Sequence, residues 1–287
     1  MLKFKTLFFI SLVLTASTAY KGHCAQSANA SLTTTVTSTK TATTLDAAAV
    51  MKLNDERYTG DTQITESVLT LIDKKGRKRI RNLKLFGIET DEVEKSTIYF
   101  LSPADVKGTA YMSFDWQNED KEDDSWLYLP ALQDVRRVAA SDESGAFMGS
   151  DFSYADINGT DYEDFNYTML NENDPVDGVD CWLIQSIPKN DSVIDETGYL
   201  ASKSWIRKDN YLQVKAEIQV KKGKKVKYFV AKNIEKIQGV WTAKTLQMIT
   251  TRNGKKTHAS VLQINTIQYN EAVDESLFDT QAMQRGL

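Results

Sequence analysis

The sequence predicts a mainly β protein: one antiparallel sheet of roughly ten to eleven strands, an incomplete and strongly curved β-barrel, with an N-terminal helix and short helices covering its concave face. Three observations predict it. After Gly60 apolar and polar residues alternate in short runs at the period of a half-buried strand. Hairpin chemistry separates the runs, at Asp73-Lys74-Lys75-Gly76, Lys222-Gly223, Gln238-Gly239 and, most strongly, Asn253-Gly254. No repeat of solenoid length divides the chain, and an antiparallel sheet this large curls around its apolar face.

Taken in order, the chain opens with a signal-like segment, residues 1–25. Lys3 and Lys5 make a short basic start, and Leu7 to Ala16 form an apolar run too short to span a bilayer. Export to the periplasm is therefore expected. Lys21-Gly22-His23 ahead of Cys24 lacks the apolar and small residues of a lipid-attachment signal, so the mature chain reads as soluble. Residues 26–44 are a Thr-rich leader with little to bury. Thr44 stands where a helix cap is expected, Asp46 favours the positive end of the helix, and Ala47 to Leu53 continue it toward Thr59-Gly60. The domain proper is expected to span 45–287.

Strands follow over 64–72, 78–88, 97–101, 110–116, 125–139, 162–170, 181–188, 212–220, 226–234, 242–251 and 260–269. Ser102-Pro103 to Gly108 suits one helical turn, and Glu119 to Asp124 an acidic hairpin tip. Pro130 should demote the middle of its strand to an edge or bulge. In the strand over 110–116, Met112, Phe114 and Trp116 share one sheet face with Ala110. A short helical end, Glu275 to Phe278, precedes the C-terminus.

Composition narrows the chemistry. With 287 residues and 41% hydrophobic content the chain can bury a sizeable core, and a net charge of −4 with a pI near 5.4 argues against nucleic acid. The only histidines are His23 and His258, so zinc sites of His and Cys and a Ser-His-Asp mechanism have little to draw on. His258 reads as an exposed strand residue. No phosphate-cradling glycine motif occurs. Neither a cofactor nor a metal is expected, and the chain reads as a non-enzyme. Cys181, in a strand-like run, reads as a buried inert thiol.

The stretch Phe147-Met148-Gly149-Ser150-Asp151-Phe152-Ser153-Tyr154-Ala155-Asp156-Ile157 stands between strand-like regions. A tight turn at Gly149 would deliver Phe147, Met148 and Phe152 to a common surface, as a hinge or lid over a cavity. The plainer reading is a core loop in which Ser153 or Asp151 caps a helical turn. A sheet with one apolar face and few helices to cover it leaves either a filled core or an apolar cavity. A cavity takes an aliphatic chain at about 0.8 kcal/mol per buried CH2 without any catalytic group.

Asp55-Glu56-Arg57, Ser102-Pro103-Ala104-Asp105-Val106-Lys107-Gly108-Thr109, Trp126-Leu127-Tyr128-Leu129-Pro130-Ala131-Leu132, Val135-Arg136-Arg137-Val138 and Phe147 to Tyr154, in that order, carry a resemblance. The chain resembles the outer-membrane lipoprotein-sorting protein family, related to the periplasmic carrier LolA and including a domain first described in a treponemal lipoprotein. The resemblance covers about residues 45–287. It implies a LolA/LolB-like half-open barrel, a role in carrying acyl chains of lipoproteins or lipids, and partners in an exporter of the resistance-nodulation-division (RND) type and an outer-membrane acceptor. It also implies that Phe147 to Tyr154 lie near the cavity mouth, with Pro103 and Pro130 shaping the sheet edge.

The expected lipid contacts are Met112, Phe114, Trp116, Leu127, Leu129, Phe147, Met148, Phe152 and Tyr154. Arg136 and Arg137 are expected either to pair with Asp151 or Asp156 and hold the lid shut or to stand as exposed strand charges, and the carrier is expected to act as a monomer. Two other readings compete: a non-catalytic envelope sensor or exporter adaptor that binds a protein, and a carboxylate hydrolase using Asp151 and Asp156 with an unidentified third acid.

Overall fold

The computed structural model describes residues 45–118 and 121–287, of which 46–287 form one compact unit. The signal-like segment, the Thr-rich leader with Thr44, and Glu119 and Asp120 of the acidic tip lie outside the described residues. Helix α1 (Ala47–Asp55) opens the unit, and its N-cap is Asp46, whose carboxylate accepts from Ala49 N at 2.7 Å. It ends at Asp55, short of the expected Thr59-Gly60.

Thirteen strands then build a single antiparallel sheet. The first run is β1 (Thr62–Asp73), β2 (Lys78–Glu89), β3 (Val93–Ser102), β4 (Ala110–Trp116), β5 (Asp124–Leu129) and β6 (Asp134–Arg137). The second is β7 (Phe165–Asn171), β8 (Cys181–Pro188), β9 (Tyr199–Arg207), β10 (Gln213–Val220), β11 (Lys225–Ile237), β12 (Val240–Arg252) and β13 (Lys255–Tyr269). Each run is a meander of hairpins, and the pairing of β1 with β13 joins them, so β6 and β7 are the two edges of one open, curved sheet.

The count exceeds the expected ten to eleven for two reasons. The run expected over 125–139 is two strands, because Pro130 starts a tight turn instead of sitting within a strand. And β9 has polar or charged residues at Ser202, Lys203 and Ser204, which dilute its alternation below recognition. Residues 162–164 form a 3-10 turn ahead of β7, and helix α3 (Asp191–Thr197), not anticipated, separates β8 from β9.

The edges β6 and β7 are consecutive in sequence, so residues 138–164 must travel from one edge to the other. They cross one face of the sheet, the inner face, and carry helix α2 (Tyr154–Asn158). Under them Leu69, Leu71, Leu83, Ile98, Phe100 and Tyr111 are buried with Phe147 and Phe152 in the largest core cluster. Burying each such side chain contributes about 1.5–3 kcal/mol.

The opposite, outer face has its own cover. Helix α4 (Thr280–Arg285) and the turn before it set Phe278 and Met283 against Tyr99, Ala110 and Met112. The helices are thus shared between both faces, whereas the sequence expectation put them all over the concave one. Helix α1 packs on β7, and its Val50 clusters with Ile184 of β8 and Ile206 of β9, at one end of the inner face.

Candidate functional site

The crossing segment is held by its own backbone first. Phe147 N donates to Phe152 O at 2.8 Å, closing a six-residue loop whose tip needs left-handed backbone at Met148 (φ 48°) and Gly149 (φ 73°). Both ends of the loop point inward, with Phe147 2% and Phe152 6% exposed. Ser153 then caps α2 with a reciprocal capping box: its hydroxyl accepts from Asp156 N while Asp156 accepts from Ser153 N. Of the two expected caps, Ser153 is the one used.

Asp151 has another task. Its buried carboxylate accepts from Thr250 Oγ1 (2.5 Å), Ser260 Oγ (2.7 Å) and, 2.6 Å away, faces His258 Nδ1, while its N–H donates to Ser260 Oγ. Four hydrogen-bonding contacts fasten the loop to β12 and β13. Ser260 therefore bonds the carboxylate and not His258, which is not the nucleophile–base–acid order of a hydrolytic triad. Asp156 makes the second anchor: it accepts from Tyr199 OH (2.7 Å) and pairs with Lys227 Nζ (3.3 Å), which itself donates to Tyr199 OH at 2.7 Å. Burial, and next the Asp156 charge, hold the Tyr199 phenol well above its ordinary pKa. A third contact comes from the sheet: buried Arg81 donates to the Met148 carbonyl and lies 5.9 Å from the centre of the Phe100 ring.

Three of these anchoring residues, His258, Thr250 and Lys227, lie along one transverse row. Asp73, His258, Thr250, Lys227, Ile218, Ser202, Ser186 and Tyr167 face each other in successive strands from β1 to β7. The row is polar where the two carboxylates grip it, and beyond Ile218 it lines a cavity of about 220 Å3. Met51 of α1, Ala155 and Asp156 of α2, and Ser202, Ala216 and Ile218 of the sheet line that space. Toward β4 the inner face is filled by rings: Phe147 meets Phe100 (6.0 Å between ring centres), Tyr111 (5.4 Å) and Tyr154 (5.4 Å). Tyr111 OH donates to Asn158, and Asn158 and Ser125 both donate to the buried Glu143 carboxylate, which burial raises in pKa.

The expected lipid contacts are divided by the sheet. Phe147, Met148, Phe152, Tyr154 and Leu127 lie in the inner-face cluster, and Leu129 shares the parity of Leu127. Met112, Phe114 and Trp116 point the other way, and Met112 is sealed under Met283 and Phe278. Arg136 and Arg137 pair with Asp134 (3.0 Å) and Asp124 (2.7 Å), not with Asp151 or Asp156. His258, expected to be exposed, is largely covered, with its side chain 24% accessible. Cys181 is a buried free thiol whose pKa burial raises.

Arg81, Lys227 and Tyr199 were not anticipated. Counting back by two from Leu85 and Leu83 would have placed Arg81 inside and Ile80 outside, where it is 54% exposed. Among the described residues no group of three or more His, Cys, Asp or Glu is placed to hold a metal ion, and no helix is long and apolar enough to cross a membrane.

An open antiparallel sheet with its inner face crossed by one long connection and partly hollow defines a half-barrel of the LolA-like, lipoprotein-sorting class. Residues 92–285 match a family model described as "Uncharacterized protein", and the chain belongs to that family, DUF1329, within the LolA-like class.

Two solved structures support the assignment over most of the chain. An outer membrane lipoprotein-sorting protein domain from Vibrio parahaemolyticus is 25% identical, with a TM-score of 0.74, covering 83% of this chain and 98% of its own. A DUF1329 family protein from Desulfovibrio piger is 29% identical, with a TM-score of 0.73, covering 84% and 100%. A LolA superfamily protein from Nitrosomonas europaea shares the fold at 17% identity and a TM-score of 0.62, covering 83% and 100%. No curated protein matches.

Proposed function

We propose that this protein is a periplasmic carrier that takes up acyl chains of lipoproteins or lipids on the inner face of its half-barrel and moves them toward the outer membrane, with an RND-type exporter as donor. It performs no chemistry. The observation that carries the reading is the space between α1, α2 and β7–β10, beside the part of the inner face that Phe147 and its neighbours fill. A space of about 220 Å3 takes part of an acyl chain.

A longer chain needs more room, and the layer formed by Phe147, Met148, Phe152 and Tyr154 is what it would displace. The crossing segment is then the lid, and Asp151 and Asp156 are its latches. Met112, Phe114 and Trp116 belong to the outer core in this reading, and the acyl chain contacts Ala216, Ile218 and Tyr167 first.

The test is titration of a fluorescent fatty acid into wild type and Ser202→Phe, a change that fills the cavity from the sheet side. Affinity should fall about tenfold or more, since a filled site forces overpacking, while circular dichroism keeps the wild-type spectrum. Equal binding by the two proteins would sink the proposal. The dense aromatic packing under β1–β4 favours a second reading, an adaptor that binds a protein with its outer surface. Native mass spectrometry separates the two, because only the carrier should be isolated with about one equivalent of lipid.

A further inference from the structure

Three hairpins lie side by side on one rim of the sheet. The β1–β2, β12–β13 and β10–β11 turns are neighbours because the strand order runs β2-β1-β13-β12-β11-β10. Residues 74–79, 252–256 and 221–225 at these turns are all exposed, and their sixteen positions hold twelve Lys and Arg and no Asp or Glu. Two neighbouring acids reach in, Asp73 toward Arg77 and Asp195 toward Lys221. At a strand spacing of about 4.8 Å, the six strands make this rim about 24 Å wide.

The concentration is out of keeping with the rest of the chain. The whole sequence has a formal net charge of −4, so without these twelve cations the remaining residues stand at −16. The rim also surrounds openings to the inner face. Arg77, Lys78 and Arg79 line a cleft of about 470 Å3 that reaches His258 and Leu71, and Lys225 lines a second of about 280 Å3 that reaches Asp151, His258 and Lys227.

We infer that this rim docks on an anionic lipid bilayer surface. Clusters of four to eight or so basic side chains suffice to hold a protein at acidic headgroups, and the attraction is confined to a Debye length of about 8 Å at physiological salt. A flat surface touched by one rim suits that range: the cations meet headgroups while the acidic remainder stays clear. A long nucleic acid would leave the rim and run over the acidic body, which repels it. Docked this way, both clefts face the bilayer. The inference stands on charge placement and does not need the 220 Å3 cavity to hold an acyl chain.

The experiment is co-sedimentation of the full chain with vesicles of phosphatidylcholine alone or mixed with phosphatidylglycerol. The protein should bind the mixed vesicles only, and binding should weaken steeply from about 50 mM to about 200 mM salt. Replacing Lys74, Lys75, Lys222, Lys224, Lys255 and Lys256 by Gln should reduce partitioning about a hundredfold or more. Replacing exposed Lys189, Lys203, Lys232 and Lys236 elsewhere on the molecule should leave it within about twofold.

Melting curves establish that both variants fold, and fatty-acid titration, which the rim variant should retain, reports on the cavity separately. No binding to mixed vesicles at low salt, or equal binding by the rim variant, overturns the inference. So does tighter binding to duplex DNA than to the vesicles.

Discussion

The two ends of the inner face are built from the same kind of strand and differ in what lies on them. Over β2–β5 the crossing segment lays Phe147 and Tyr154 onto Tyr111, the three rings in mutual contact, and Phe147 onto Phe100 as well. Over β7–β10 the sheet offers Ser186, Ser202, Ser204 and Ala216, and the same segment, now α2, meets it with Ala155. Small residues on the sheet facing Ala155 leave the cavity, which Met51, Phe165, Tyr167 and Tyr199 border. The difference teaches that hollowness here is set by side-chain volume along one continuous sheet, with no change of topology.

The strongest way to break the comparison is to hollow the filled end. Phe147→Ala should cost about 3–5 kcal/mol, the range for deleting a fully buried aromatic ring, read from urea unfolding at constant m-value. The loss should carry the crossing segment with it, so limited proteolysis within 145–160 should speed up. A loss below about 1 kcal/mol would mean that the rings are loosely packed and the two ends are alike.

Next is the anchor between them. Asp151→Ala leaves Thr250, Ser260 and His258 facing an empty site, and should cost about 3 kcal/mol because buried partners of a removed charge go unsatisfied. The same change should raise acyl-chain affinity if the segment is a lid, since opening it then takes less free energy. Destabilisation with weaker binding would assign the segment to the core alone.

A smaller effect sharpens the comparison directly. Leu83→Phe at the filled end adds volume where none is free and should cost about 1–3 kcal/mol. Ser202→Phe at the hollow end has 220 Å3 to occupy and should cost clearly less, or stabilise. Thermal melts of the two variants side by side give the ranking, and the reverse order would contradict the packing difference.

Much of the sheet was legible because alternation and turn chemistry are local. Asn253-Gly254, Gln238-Gly239 and the Asp73 to Gly76 turn all stand between paired strands. Which face is inside was not legible. In β4 both parities are fit for burial, Tyr111 on one side and Met112 on the other, and both are buried. The choice was made by segments remote in sequence, 138–164 on one face and 273–285 on the other.

The anchors escaped for the same reason. The partners of Asp151 lie about a hundred residues away, and Lys227 and His258 look like any polar residue in an alternating strand. What did signal a special stretch was Phe147 to Ile157 itself, where aromatics, a glycine and two carboxylates meet outside any alternating pattern.

The mildest expected effect lies where the crossing segment passes between the two ends. Helix α3 packs there against the turn at 140–142 and against α2, and it brings Glu196 close to other acids. Burial first, then the charges of Glu143, Asp164, Asp123 and Asp161, raise the Glu196 carboxyl from 4.5 to about 7. The folded chain therefore holds this proton more tightly than the unfolded one. Stability from this group is greatest below pH 4.5, declines as pH rises through the window between 4.5 and about 7, and is lost above it. Glu196→Gln, which cannot ionise, should match wild type near pH 4 and exceed it at pH 8, by about 1 kcal/mol once solvent screening of a half-covered group is allowed for. Melting temperatures of the two proteins across that range decide it: a gap that is constant with pH would show that Glu196 ionises freely, and that the junction between filled and hollow ends is open to water.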